Sequence, residues 1–135
     1  MDLATGRSAA LALALALAVA GCGRDGDRQA VRAVAGGFYA AVAQHHGERA
    51  CALLSADTRM ALEQQESEPC ARAVEKLSLK AERPATAEVY SSEALVRLVG
   101  GDTVFLGDTA HGWRISAAGC QMKGDREPAD CELED

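Results

Sequence analysis

The chain reads as a small single α+β domain: helices first, packed on an antiparallel sheet that follows them. Three observations predict this. Between Arg28 and Leu79 apolar residues recur at intervals of three and four, the helical period. After Arg83-Pro84 the period drops to two, which is the signature of strands. Glycine-rich turn signals then punctuate the second half, at Gly100-Gly101-Asp102 and from Gly107 to Gly112. Helices segregated before strands give α+β rather than a parallel sheet with crossover helices.

The first helix is expected from Arg28, with Asp27 as its N-cap. Val31, Val34, Ala35, Phe38, Ala41, Val42 and His45 fall on one face. Gly36-Gly37 interrupts it, at about 1 kcal/mol per glycine relative to alanine. Either another backbone packs closely there or the helix simply tolerates the pair. Gly47 is the expected C-cap. Glu48 to Leu54 forms a second helix, with Cys51, Leu53 and Leu54 inward. Asp57 caps a third through Gln65, carrying Met60 and Leu62. Pro69 suits a first helical turn, so Pro69 to Leu79 is a fourth, burying Cys70, Ala73, Val74 and Leu77.

In the strand half, Ala87 and Val89 alternate with Glu88 and Tyr90. Ala94 to Val99 and Thr103 to Leu106 flank a tight turn. Trp113 to Ala117 is the last long strand, with Trp113 and Ile115 on one face, and Asp130 to Leu133 a short final one. The aromatic residues are Phe38, Tyr39, Tyr90, Phe105 and Trp113 alone. The core must therefore be mostly Ala, Val and Leu.

The amino end has its own layout. Met1 to Ser8 is polar with Arg7 as its cation, and Ala9 to Ala20 is uncharged Ala/Leu ending in Val-Ala. That is the plan of a secretory signal. A helix of about 12 residues rises roughly 18 Å, short of a hydrocarbon core of about 30 Å. Val19-Ala20-Gly21-Cys22 resembles the bacterial lipobox. The resemblance implies cleavage before Cys22 and a diacylglyceryl thioether on its sulfur, with acyl chains such as palmitate in the bilayer. An ordinary cleaved signal with Cys22 incidental is the alternative. The expected division is residues 1–21 as lipoprotein signal peptide, 22–27 as lipidated cysteine and flexible polar linker, and 28–135 as the folded domain. The expected location is the extracytoplasmic face of the cell membrane, held by lipid through Cys22.

A net charge of −6, spread without a basic cluster, argues against nucleic acid as a partner. It also gives no polybasic help at an anionic bilayer, leaving anchoring to the lipid. Beyond Cys22 the cysteines are Cys51, Cys70, Cys120 and Cys131. An even set in an exported domain reads as a disulfide framework. Of the three possible pairings, Cys51–Cys70 and Cys120–Cys131 are favoured, because each pair is close in sequence and lies in its own half. Each closure would contribute roughly 3 kcal/mol in the chain-entropy model. Zinc is the competing reading, but no CxxC spacing exists and no histidine flanks a cysteine pair. Neither a metal nor an organic cofactor is expected.

Val34-xxx-Phe38, His46-Gly47-Glu48 and Ala50-Cys51-xx-Leu54 in the helical half, with Val96-Arg97-Leu98, Gly101 to Leu106 and Gly112-Trp113-Arg114-Ile115 through Cys120 in the sheet half, carry a further resemblance. The chain resembles the nuclear transport factor 2-like (SnoaL-like) superfamily, and more specifically small lipoproteins of high-GC bacteria. The resemblance implies a cone, a curved sheet wrapped around the first helix with a pocket at its wide end. Enzymes of that superfamily, such as ketosteroid isomerases and cyclases, set an Asp or His base opposite a Tyr or protonated acid. The residue types available here are Tyr39, Tyr90, Asp102, Asp108 and His111. Turn chemistry already accounts for Asp102 and Asp108, and His111 sits beside Gly112 in a hairpin loop. His45 and His46 would point about 100° apart on a helix. Ser55 and Ser116 lack a GxSxG setting, and Trp113 reads as core. No catalytic residue is assigned. The expected role is non-enzymatic, binding a small apolar ligand or a membrane-protein partner. The alternative is an isomerase or cyclase using a Tyr/Asp pair.

The anchor is open to a direct check. Cys22→Ser should move the protein from the membrane fraction to the soluble extracytoplasmic fraction. Retention in washed membranes would refute lipid attachment at this cysteine.

Overall fold

The computed structural model describes residues 22–125 and 127–135. The segment expected as a signal peptide, residues 1–21 with Val19, Ala20 and Gly21, lies outside the described residues. Helix α1 runs Cys22–Ala43, α2 Gly47–Ala52, α3 Ala56–Glu66 and α4 Cys70–Ala73, the last continued by a 3-10 turn over Val74–Lys76. Strands β1 Pro84–Tyr90, β2 Glu93–Leu98, β3 Thr103–Thr109 and β4 Gly112–Met122 follow, then the short β5 Pro128–Asp130 and β6 Leu133–Glu134. The strands form an antiparallel meander in the order β1-β2-β3-β4, with β5 and β6 both added to β4. The class is α+β.

Helix α1 already includes Cys22, the first described residue, so the residues expected as a flexible linker, 22–27, are helical. Asp25 lies in the first turn, where the helix dipole favours a carboxylate, and pairs with Arg28 at 2.9 Å. Asp27 is not the N-cap. Its carboxylate accepts the indole N–H of Trp113 at 3.3 Å. An indole only 8 % exposed needs such an acceptor, and the bond pins the start of α1 to β4.

The far end of α1 also differs from expectation. The helix closes at Ala43 with His45 in the left-handed region, φ 57. The His46 N–H reaches back to the Ala41 carbonyl and the His45 N–H to that of Val42, a Schellman closure. His45 is thus an exposed stop, not part of the buried face, and Gly47 opens α2. Glycine is needed there for space: an added Cβ would lie 2.9 Å from Ala71 Cα and closer still to its carbonyl. At Gly36 a Cβ would press on Pro84 at 3.2 Å, whereas at Gly37 it would make an ordinary contact with Leu53 at 3.5 Å. Close packing accounts for the first glycine and tolerance for the second.

Leu53 and Leu54 fall outside α2 because the backbone there pairs with β4. Ile115 N–H donates to the Leu53 carbonyl at 2.9 Å, and Ser55 N–H to the Ile115 carbonyl at 2.8 Å. Ser55, not Asp57, caps α3: its hydroxyl accepts the Thr58 N–H at 3.1 Å. The Thr58 side chain, fully buried, donates to the Ser116 carbonyl at 3.1 Å and fastens α3 to β4. The fourth helix is shorter than its apolar pattern, although Cys70, Ala73, Val74 and Leu77 are all buried as expected. Leu77 turns extended, ψ 136, and leads the chain toward the sheet.

Disulfides join Cys51 to Cys70 and Cys120 to Cys131, the pairs nearest in sequence. The first bolts α2 to the start of α4, and the second ties β4 to the segment between β5 and β6. The core lies between α1 and the sheet: Val31, Ala35, Phe38 and Val42 against Val96, Leu98, Val104, Leu106 and Ile115. Strand β3 is longer than predicted and takes in Gly107, Asp108 and Thr109. The expected loop shrinks to Ala110-His111, because the Thr109 hydroxyl donates to the Gly112 carbonyl and accepts the His111 N–H. The single strand expected over Asp130–Leu133 is instead the pair β5 and β6.

The two glycines predict opposite outcomes. Gly47→Ala should lower stability by about 1–3 kcal/mol through overpacking. Gly37→Ala should raise it by up to about 1 kcal/mol through helix propensity. Urea denaturation of both variants checks the pair, and equal effects would refute the packing argument.

Candidate functional site

After the 3-10 turn the chain runs as an irregular segment, residues 78–83, past the β2–β3 turn. With that turn, the bulged part of β4 and the segment around Cys131, it encloses a cleft of about 880 Å³. The cleft forms because β4 slips register against β3. Thr103 faces Cys120 and Leu106 faces Ile115, with irregularities between. A bulge re-aims backbone groups. Gly119, at φ 65, sits in it, and its N–H points to α1, where it donates to the Tyr39 hydroxyl at 2.9 Å.

Tyr39 is 1 % exposed. Its hydroxyl donates to Asp102 Oδ2 at 3.1 Å. The other oxygen of Asp102 accepts from the Gln121 amide at 3.2 Å. Burial first, and the Asp102 charge second, hold Tyr39 protonated well above the usual tyrosine range; the Gly119 N–H opposes this more weakly. A hydroxyl so committed is a neutral strut rather than a base. The structure thus brings together two of the five candidates, Tyr39 and Asp102, and puts only Asp102 on the cleft wall.

Four carboxylates line the cleft, Glu82, Asp102, Asp130 and Glu132, against the single ammonium of Lys80. Among the described residues none of these five takes part in an ion pair. Glu82 Oε2 is buried with no hydrogen-bond partner. Such a concentration of one sign in a partly enclosed hollow focuses a negative potential. Beside it lies a mainly apolar hollow of about 490 Å³, walled by Ala40, Ala43 and Val99, bordered by Gln44 and Arg83, and sharing Ala81, Glu82 and Gly100 with the cleft. Val99 is 62 % exposed.

The other sequence candidates lie elsewhere. Tyr90, at the end of β1, donates to the Glu88 carboxylate. Asp108 and His111 are exposed at the β3–β4 hairpin, the opposite end of β3 from Asp102. His45 and His46 are exposed beyond α1, and Trp113 is core. Ser55 is a helix cap, and Ser116 uses its carbonyl to hold Thr58. Among the described residues no three metal-ligating side chains converge, and no helix is long and apolar enough to cross a membrane. Sequence reasoning missed Glu82, Gly119 and Gln121. Glu82 lies in a stretch with no period. Gly119 carried a usable signal, since a lone glycine inside a strand pattern marks a bulge.

No family model matches the chain, and neither a curated protein nor a solved structure shows significant similarity to it.

The Tyr39 network makes a pH prediction. Its phenol is held neutral in the folded state, while an unfolded tyrosine ionises near pH 10. This contribution is therefore complete below about pH 10 and is lost as pH rises above it. Tyr39→Phe should cost about 1–3 kcal/mol at neutral pH, from the unsatisfied groups it leaves. It should also flatten the fall in stability above pH 10. Denaturation midpoints across pH 8 to 11 read both effects, and an unchanged alkaline slope would refute the assignment.

Proposed function

We propose that this chain is a lipid-anchored protein on the extracytoplasmic face of the cell membrane, with a non-enzymatic binding role exercised through the carboxylate cleft. The observation that carries the binding reading is the buried, unpartnered Glu82 oxygen beside three further carboxylates and one lysine. Charge left unneutralised within the chain favours neutralisation from outside it. The polar lining supports a protein partner over a small apolar ligand. The adjoining apolar hollow specifies the segment further: a lysine or arginine next to an aliphatic side chain.

Support for the anchor is the lipobox-like Val19-Ala20-Gly21-Cys22, and two disulfides suit an oxidising compartment. Because Cys22 is already helical, the tether would join α1 directly, a helix whose described 22 residues are about 33 Å long. The cleft adjoins the other end of that helix, near Tyr39 and Ala43. A membrane partner would therefore dock through a part that stands clear of the bilayer, at an effective concentration raised by the shared surface. Helices preceding an antiparallel meander also agree with a nuclear transport factor 2-like reading, which belongs to the proposal.

One observation favours an isomerase or cyclase instead, the Tyr39–Asp102 pair at 3.1 Å. It weighs less, because Tyr39 is buried and its hydroxyl, which keeps its proton, is committed to a hydrogen bond with Asp102 rather than facing a substrate.

The docking reading is tested by NMR titration with two defined peptides, Lys-Leu-Lys and Glu-Leu-Glu, both end-blocked. The lysine peptide should shift the amides of Gly100, Gly119 and Gln121, and Glu82→Gln should weaken the effect. No shift with the lysine peptide, or equal shifts with both, would overturn it.

A further inference from the structure

The two disulfides differ in access. Cys51 and Cys70 are 2 % and 1 % exposed, and Cys120 is fully buried. Cys131 alone is half-buried rather than buried, and it lines the carboxylate cleft. Cys51 borders a smaller hollow between α2 and the β3–β4 hairpin, but its low exposure closes it to a reagent.

We infer that the Cys120–Cys131 disulfide is a thiol–disulfide exchange site entered through the cleft, with Cys131 as the attacked sulfur and thiols carried beside a positive charge as its preferred reactants. Exchange requires a thiolate to reach one sulfur along an open path, and of the four bridged cysteines only Cys131 is not buried, its residue lining the open cleft. The approach passes Glu82, Asp102, Asp130 and Glu132, with Lys80 as the one cation among the described lining residues. An incoming thiolate is repelled by these carboxylates unless its carrier also brings positive charge. The charge preference rests on the cleft reading proposed above, whereas the order of reduction rests on exposure alone.

The chemistry is two successive displacements. A thiolate bonds to Cys131 Sγ, the Cys120–Cys131 bond breaks, and its electron pair leaves on Cys120 Sγ, which takes a proton from solvent. A second thiolate then attacks the reagent sulfur of the mixed disulfide. This frees Cys131 as a thiolate, which is protonated, and forms the oxidised disulfide of the reagent. The net change is one protein disulfide reduced and two thiols oxidised. The fold has means to survive the step, because β6 stays paired with β4 and Leu133, 1 % exposed, stays buried on its own account. What loosens is the cleft wall around Asp130 to Glu132. A partner's reducing thiol would thereby widen the hollow into which its own charged segment fits.

The test uses the unmodified mature protein, cysteamine as cationic thiol and 3-mercaptopropionate as anionic thiol. Timed samples are quenched with acid, alkylated under denaturing conditions so that every free thiol is labelled, and mapped by mass spectrometry. Cys120 and Cys131 should be labelled at least about tenfold faster than Cys51 and Cys70. Cysteamine should outpace 3-mercaptopropionate severalfold at low salt after correction for thiol pKa, and the gap should close at high salt. Simultaneous loss of both disulfides, or earlier loss of Cys51–Cys70, would overturn the site. Selective reduction without charge preference would overturn the preference for cationic thiols. Should the lysine peptide of the previous section fail to bind while this reduction stays selective, the docking reading falls and the exchange site stands.

Discussion

The hydroxyl of Tyr39 is the constraint on which the architecture turns. It lies on the inner face of α1, 1 % exposed, where a polar group without partners would cost several kcal/mol. Two distant segments supply them, Gly119 on β4 and Asp102 in the β2–β3 turn. Meeting both demands places the helix, the turn and the strand in one arrangement. The bulge in β4 follows from the same demand, because a regular strand would spend the Gly119 N–H along its ladder.

Strand β4 gathers most of what remains. On one side it pairs with β3. On the other it is covered in succession by the Leu53–Ser55 backbone, by β6 and by β5. Thr58 and Trp113 add side-chain ties to α3 and to the start of α1. Covering this edge leaves no long row of bare backbone groups for another chain to pair with. At the opposite edge, Arg32 occupies the Ala85 carbonyl of β1 and Pro84 withholds an N–H. Both devices guard the sheet against edge-to-edge pairing with another chain.

Charge is distributed with a similar economy. The ion pairs described for this chain lie on the helical half, Arg28 with Asp25, Arg59 with Glu63, and Lys76 with Glu66 and Glu68. Among the described residues the carboxylates around the cleft are left out of such pairs. Their field is therefore directed at whatever enters the hollow, and the second disulfide stands within it. Docking and the charge preference of thiol exchange, as proposed, share one electrostatic cause.

The α+β class, the buried faces of α1 and of the Cys70–Leu77 stretch, and the run of strands were all legible in the chain, because apolar period is a local property. So was the choice of cysteine partners, which proximity in sequence narrows. What only the tertiary structure decided depends on contacts between segments far apart. Asp27 reads as a cap until Trp113 claims it, and Gly47 reads as a helix stop until Ala71 fills the space beside it. Glu82, Gly119 and Gln121 belong to no motif, and they become a site only where the bulge, the turn and the second disulfide meet. Local pattern determines which residues turn inward; long-range packing determines which polar groups are left facing one another, and the site is built from those.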